Sequence, residues 1–149
     1  MTLSLTSRAA RHAWLVTVAA FAAHSNAQAP RMTFEIAGLA SNNGAVHCLL
    51  FATPDGFPSE ARRAMKQMVV PPEELRATCE FVDLPAGTYA LSVWHDANAN
   101  GRLDANFIGV PKEPVGTSNN AGGRMGPPRF GAAAFNFSPP VFLQRVTVK

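Results

Sequence analysis

The sequence predicts an all-β fold, an antiparallel β-sandwich of about six to seven strands with one short helix and a long ordered loop. Three observations predict it. Apolar and polar residues alternate along several segments of strand length. Clusters rich in Gly, Pro, Asn and Asp separate these segments at hairpin-like spacing. Residues 96–131 alone lack sustained periodicity, which predicts one long loop.

The first 27 residues are predicted to be a secretory signal peptide. Arg8 and Arg11 give a basic start, residues 13–23 give an apolar stretch of 11 residues, and Ser25-Asn26-Ala27 suits signal cleavage. A membrane anchor is the alternative, but a spanning helix needs about 20 apolar residues. The mature chain, residues 28–149, is therefore expected to be one domain, not membrane-spanning, in the periplasm or secreted.

The charge balance argues against a nucleic-acid partner. The chain has 13 Lys and Arg against 10 Asp and Glu, and two of the Arg residues fall in the predicted signal peptide. The mature chain is then close to neutral. Its basic residues are scattered, apart from Arg62, Arg63 and Lys66, so no basic binding surface is expected.

The predicted strands follow one another along the mature chain. Residues 32–39 and 44–52 flank an Asn-Gly turn and are expected to pair as a hairpin. Further alternation predicts strands at residues 76–84, 88–95, 132–137 and 141–148.

One short helix is predicted between the second and third of these strands. Ser59 is a suitable N-cap, and Ala61, Ala64, Met65 and Met68 recur at the three- to four-residue spacing of an amphipathic helix. Pro71 and Pro72 would end it.

The two cysteines, Cys48 and Cys79, fall on the predicted inward faces of two strands. In an oxidising compartment they are expected to form a disulfide across the core, worth about 3–4 kcal/mol for a closed loop of about 30 residues. A metal-binding pair or a nucleophile are the alternatives, and the absence of a C-x-x-C motif argues against them.

The long loop begins with oxygen-bearing side chains at near-alternate positions, as in the first nine positions of an EF-hand calcium loop. This spacing predicts a Ca²⁺ site. Its side-chain ligands would be Asp96, Asn98, Asn100 and Asp104, with Arg102 contributing its backbone carbonyl.

Two features disagree with the calcium motif. Phe107 stands where the bidentate Glu should be, and the loop follows a strand instead of a helix. Asp83 or Glu113 could supply a further carboxylate. In the alternative interpretation, each Asp or Asn side chain accepts hydrogen bonds from its own backbone in Asx-turns. Both interpretations stay open on the sequence alone.

The rest of the loop contains apolar residues that are expected to be buried and to order it. They are Leu103, Phe107, Ile108, Val110 and Phe130.

His95 precedes the loop and raises the question of catalysis. A hydrolase could use His95 with Asp96 or Asp104 to activate Ser118. These residues lack a signature spacing, and no G-x-S-x-G occurs. The favoured interpretation is a histidine that hydrogen-bonds the loop backbone.

Several of these motifs together resemble the exported bacterial domain of unknown function 2141 family. They are L-P-A-G-T-Y-A (84–90), H-D-x-N-x-N-G-x-L-D (95–104), N-x-x-G-x-P-x-E (106–113), and G-P-P-x-F (126–130). The resemblance covers essentially the whole mature chain. It implies an exported β-sandwich similar to transthyretin-type and carboxypeptidase regulatory-like modules, and it implies no activity.

The function predicted from the sequence is that of an exported, non-catalytic binding or accessory module. Its loop, ordered by hydrogen bonds or by Ca²⁺, would join Trp94 in shaping a surface for an envelope protein or a glycan. A hydrolase using His95 is the alternative, and a purely structural domain without a ligand is the third.

Overall fold

The computed structural model of the protein describes residues 29–123 and 126–149. The predicted signal peptide lies outside them. The described residues form eight strands in two sheets, which confirms the predicted β-sandwich. In this part of the chain, no helix has the length and apolarity needed to cross a membrane.

The strands alternate with turns and three single-turn helical segments. The strands are β1 (Arg31–Ala37), β2 (Ala45–Phe51), β3 (Lys66–Val70), β4 (Arg76–Val82), β5 (Gly87–Asp96), β6 (Val115–Thr117), β7 (Phe135–Phe137) and β8 (Val141–Thr147). The helical segments are 3-10 turns at Ala61–Arg63 and Ser118–Asn120 and the helix α1 (Phe130–Ala133).

The smaller sheet has the order β4-β1-β8, and the larger sheet has the order β3-β2-β5-β6 with β7 also paired to β5. Neighbouring strands are antiparallel, with one exception: β1 runs parallel to β8. This pair departs from the purely antiparallel sandwich expected. Alternation identifies which face of a strand is buried, but it does not identify the neighbour or its direction.

The predicted hairpin between the first two strands is wrong. β1 belongs to the smaller sheet and β2 to the larger one. The seven residues between them, 38–44, are long enough to cross the roughly 10 Å that separates packed sheets.

The predicted helix between β2 and β4 is also wrong in its position. Ala61–Arg63 forms one 3-10 turn, and Lys66–Val70 then forms β3 at the edge of the larger sheet. In β3 the half-buried residues are Lys66, Met68 and Val70, so the period is two. β3 pairs antiparallel with β2, and Met68 lies opposite Cys48 in this pairing.

The main core lies between the sheets and is crossed by the Cys48–Cys79 disulfide, which joins β2 to β4 and confirms the predicted pair. The predicted inward residues Phe34, Ile36 and Phe81 are at most 2% exposed. Because the two cysteines belong to different sheets, the disulfide fixes one sheet to the other.

A second apolar layer covers the outer face of the larger sheet. Leu49, Phe51 and Trp94 form its buried floor, and residues of the surrounding loops pack on them. These covering residues are Phe57, Ala61, Ala64, Leu103, Val115 and Phe130. The long loop is therefore attached to the sheet face that carries Trp94.

Candidate functional site

The loop begins at Asp96, the last residue of β5, whose side chain is buried. Its Oδ1 accepts a hydrogen bond from the Asn100 N–H at 3.1 Å, and its Oδ2 accepts one from the Gly101 N–H at 2.7 Å. One carboxylate thus holds the first turn of the loop against the end of the strand. Gly101 has φ +74, a backbone conformation that favours glycine.

The next Asp and Asn side chains continue this network. Asn98 Oδ1 accepts from the Asn100 N–H, and Asn100 Oδ1 accepts from the Arg102 N–H. Asp104 Oδ2 accepts from both amide groups, at 2.8 Å from Asn98 Nδ2 and 3.1 Å from Asn100 Nδ2. The near-alternate spacing therefore has a structural explanation in successive Asx-turns.

Four of the predicted calcium ligands, the side chains of Asp96, Asn98, Asn100 and Asp104, take part in one network. Both oxygens of Asp96 and both amide oxygens already accept N–H groups. A metal would have to compete with these bonds. The described residues contain no cluster of three or more His, Cys, Asp or Glu side chains arranged around a metal position. Calcium binding stays a prediction.

Asp83 and Glu113 are the two residues that could supply a further carboxylate to the predicted calcium site. Glu113 approaches the loop, whereas Asp83 follows β4 in the smaller sheet. Glu113 Oε2 accepts the Asp104 N–H at 3.0 Å. Its other carboxylate oxygen, Oε1, is buried without a hydrogen-bond partner among the described residues. Glu113 therefore closes the network from the far side of the loop.

His47 on β2 contacts Asp96 from the neighbouring strand. Its ring stacks on Trp94 at a centroid distance of 4.3 Å and an interplanar angle of 9°, and its Nε2 lies 3.3 Å from Asp96 Oδ2. Burial would raise the pKa of Asp96, but hydrogen bonds from Gly101, Asn100 and His47, together with the charge of His47, outweigh it. The pKa of Asp96 is lowered from its ordinary value of 3.8.

Sequence reasoning did not single out His47. The cross-strand register, which places His47 beside Trp94, is the signal that identifies it. That register becomes readable only once β2 and β5 are known to be partners.

His95 is fully buried and both of its ring nitrogens contact backbone atoms of the β1–β2 connection. Nδ1 accepts the Ala40 N–H at 3.4 Å, which leaves Nε2 to donate to the Asn43 carbonyl at 2.9 Å. The favoured interpretation, a histidine bonded to loop backbone, matches this arrangement.

The groups of the alternative hydrolase site do not assemble into a triad. Ser118 is fully buried, accepts the Leu91 N–H, and donates its hydroxyl proton to the Ala133 carbonyl. The Asp96 carboxylate contacts His47, whereas the ring nitrogens of His95 contact backbone atoms. Neither His95 nor Ser118 is open to a substrate.

A cavity of about 680 Å³ lies between the outer face of the larger sheet and the long loop. Ser92, Trp94, Val115 and Thr117 line it from the sheet side. From the loop side, the lining residues include Arg102, Leu103 and Val110. A neighbouring cavity of about 510 Å³ shares Gly122, Gly123, Gly126, Pro127 and Pro128 with it, and none of its described lining residues belongs to a strand.

The expectation that every apolar residue of the loop is buried is wrong for three of them. Leu103 and Phe130 pack into the second apolar layer, but Phe107 is 99% exposed, Ile108 69% and Val110 51%. These three belong to a hairpin whose neck is the antiparallel bridge between Ala105 and Pro111. We call residues 105–111 the loop tip.

Comparison with known proteins gives one family. The family model described as an uncharacterised protein conserved in bacteria, DUF2141, matches residues 34–141, which include β1–β7 almost completely and the whole long loop. No curated protein and no solved structure matches the chain. The expected similarity to transthyretin-type modules stays a prediction.

Proposed function

Because the chain belongs to the DUF2141 family, which is described only as uncharacterised, we propose a function from its own geometry: an exported, non-catalytic binding module. Its ligand would occupy the cavity between the larger sheet and the long loop. The ligand class we propose is a small amphipathic molecule with an apolar body and an acidic or hydrogen-bond-accepting group.

The cavity is the observation that carries this proposal. Its volume of about 680 Å³ falls in the range of about 300–1,000 Å³ that is usual for small-molecule sites. Trp94, Leu103 and Val115 line the cavity with apolar side chains and Ser92 with a hydroxyl-bearing one, whereas the Thr117 hydroxyl already donates to the Ala121 carbonyl. Such sites typically combine an apolar lining with a few polar groups that orient the ligand.

Charge favours an acidic or acceptor group on the ligand. Arg102 and Lys149 line the cavity, and no Asp or Glu is among its described lining residues. An Arg guanidinium presents several N–H donors and recognises carboxylate or phosphate oxygens. Arg102 is exposed, so it is free to turn toward a ligand.

The geometry of Trp94 favours a cavity ligand over a glycan on a flat surface. Trp94 is only 8% exposed, and His47 stacks against one face of its ring. Sugar stacking needs an open aromatic face, which Trp94 does not offer here. An envelope protein or a glycan therefore remains the less favoured partner.

Export to the periplasm or to the medium belongs to the same proposal. It is supported by the predicted signal peptide and by the disulfide between Cys48 and Cys79, because disulfides persist mainly in oxidising compartments.

The test is ligand binding by the chain from residue 28, which contains both sheets, both apolar layers and the disulfide. Trp94 is its single tryptophan, so cavity binding should change the emission. We expect aliphatic or aromatic carboxylates to change the emission and raise the melting temperature, and neutral oligosaccharides to do neither. Arg102→Gln should weaken carboxylate binding, whereas Arg62→Gln, an exposed control outside the cavity, should not. If no carboxylate changes either signal, the proposal is wrong.

We also propose calcium binding by the loop as an addition that the cavity proposal does not require. Thermal unfolding of the same protein with Ca²⁺ or with a chelator tests it. Binding should raise the melting temperature with millimolar Ca²⁺, and Asp104→Asn should remove the increase. An unchanged melting temperature would contradict calcium binding and leave the hydrogen bonds and the packing of Leu103 and Phe130 to order the loop.

A further inference from the structure

We propose that the loop tip, residues 105–111, docks the protein on an anionic lipid bilayer by inserting Phe107 and Ile108 into the interfacial region. This inference does not require a cavity ligand, and it shares Arg102 and Val110 with the lining of the cavity. It rests on the exposure of the tip, on its internal hydrogen bonds, and on the charges at its neck.

The tip concentrates three exposed apolar side chains within four residues of sequence. Phe107, Ile108 and Val110 are 99%, 69% and 51% exposed, and the sequence of the tip, A-N-F-I-G-V-P, has no charged residue. An exposed Phe is costly in water, since complete burial of such a side chain is worth about 1.5–3 kcal/mol. Their closeness in sequence distinguishes the tip from singly exposed apolar residues elsewhere on the surface.

Four of the six backbone N–H groups of the tip, those of Asn106, Ile108, Gly109 and Val110, are bonded within it. Asn106 Oδ1 accepts from both the Ile108 and the Val110 N–H groups, at 3.0 Å and 2.9 Å. The Gly109 N–H donates to the Asn106 carbonyl, and the Asn106 N–H donates to the Val110 carbonyl. Unpaired backbone groups are costly in an apolar medium, so these bonds lower the cost of leaving water.

The neck of the tip carries exposed positive charge. Arg102 and Lys112 flank it and are exposed. The carboxylate of Asp104 is held by two amide groups, and Glu113 is bonded to the Asp104 N–H, with both acids half-buried. The two charged residues of the neck that are exposed are therefore both basic. Basic residues beside an apolar anchor favour anionic lipid headgroups.

A bilayer fits these features better than a folded protein partner. A stable protein interface buries about 800 Å² on each side, which three side chains do not supply. Four of the six N–H groups of the tip are also internally bonded, so it offers no continuous free edge for strand addition. A fluid bilayer needs neither a matching surface nor a free edge.

The experiment measures binding of the chain from residue 28 to phosphatidylcholine vesicles with and without phosphatidylglycerol, at low and high salt. Residues 1–27 are left out because their apolar segment would bind lipid by itself. We expect co-sedimentation with the anionic vesicles and a decrease with salt. The double variant Phe107→Ser, Ile108→Ser should lower the partition coefficient about tenfold or more, which corresponds to about 1.4 kcal/mol.

The matched control removes two exposed apolar side chains elsewhere, by Val69→Thr and Leu143→Thr, and should bind as the parent does. Phe107→Trp reports insertion directly: its emission should shift to the blue with anionic vesicles, whereas the parent emission should not change. Equal binding by the double variant and the parent would overturn the proposal, as would no binding to any vesicle. Concentration-dependent self-association that requires Phe107, without vesicle binding, would instead identify the tip as a contact between copies.

Discussion

The carboxylate Oδ2 of Asp96 lies 3.3 Å from Nε2 of His47, and this pair joins the end of β5 to the middle of β2. The same carboxylate accepts the N–H groups of Asn100 and Gly101. Strand pairing and loop conformation are therefore coupled through one buried side chain. The pKa of Asp96 is lowered from 3.8 because these bonds stabilise the ionised form.

This lowered pKa predicts how stability depends on pH. A group with a lower pKa in the folded state stabilises the fold above its unfolded pKa and loses that contribution as pH falls through the folded pKa. We expect the free energy of unfolding, measured by urea titration, to fall as the pH drops below 3.8. Asp96→Asn should reduce this part of the pH dependence.

At neutral pH, we expect Asp96→Asn to lower the free energy of unfolding by about 1–3 kcal/mol. The substitution weakens a buried acceptor of N–H hydrogen bonds. Asp55→Asn is the control, because Asp55 is exposed and such substitutions usually change stability by less than about 0.5 kcal/mol. An Asp96→Asn variant with the parent's pH profile would contradict the coupling.

His95 is expected to be structural. His95→Ala removes a fully buried ring and leaves the Ala40 N–H and the Asn43 carbonyl without their partner. We expect a loss of about 2–4 kcal/mol in urea unfolding. His95→Gln retains a side-chain donor and acceptor and should lose less. Unchanged stability in His95→Ala would contradict this role.

Gly44 and Gly101 form a matched pair for testing backbone approach. Both have φ +74, but a Cβ on Gly44 would lie 1.8 Å from the Asp96 carbonyl oxygen, whereas a Cβ on Gly101 meets nothing within 4 Å. Gly101→Ala should cost about 1–2 kcal/mol from the left-handed conformation alone. Gly44→Ala should cost clearly more, because the β1–β2 connection must move. Equal decreases in the melting temperature of the two variants would contradict this expectation, because they would show that the backbone around Gly44 and Asp96 shifts at little cost.

The disulfide should contribute to stability because it closes a loop across the two sheets. Cys48→Ala with Cys79→Ala should lower the free energy of unfolding by about 2–5 kcal/mol. A reducing agent should destabilise the parent to a similar extent and leave the double variant unchanged. A parent that is insensitive to complete reduction, checked by thiol titration, would contradict this expectation.

Much of the sandwich could be predicted because burial on one face is a local property of a strand. Alternation identified the inward residues of β1 and β4, such as Phe34 and Phe81. The predicted helix failed because Ala61, Ala64 and Met68 satisfy helical spacing, while Lys66–Val70 also has a period of two. In so short a segment, the positions of the apolar residues do not distinguish a helix from a strand.

The candidate site was predictable only in part. Asn98 and Asn100 indicated an ordered loop, since Asx-turns depend on short-range spacing. His47 was missed because its role depends on the pairing of β2 with β5. The exposure of Phe107 was missed because Asn106, and not apolar burial, holds the tip in shape.

The parallel pairing of β1 with β8 has a consequence for biosynthesis. Its contacts include Glu35 with Arg145, which are 110 residues apart in the sequence. β1 is synthesised first among the strands and cannot acquire this neighbour until β8 has left the ribosome. The nascent chain must therefore keep the edge of its first strand that faces β8 from pairing with other chains while nearly all the rest is made.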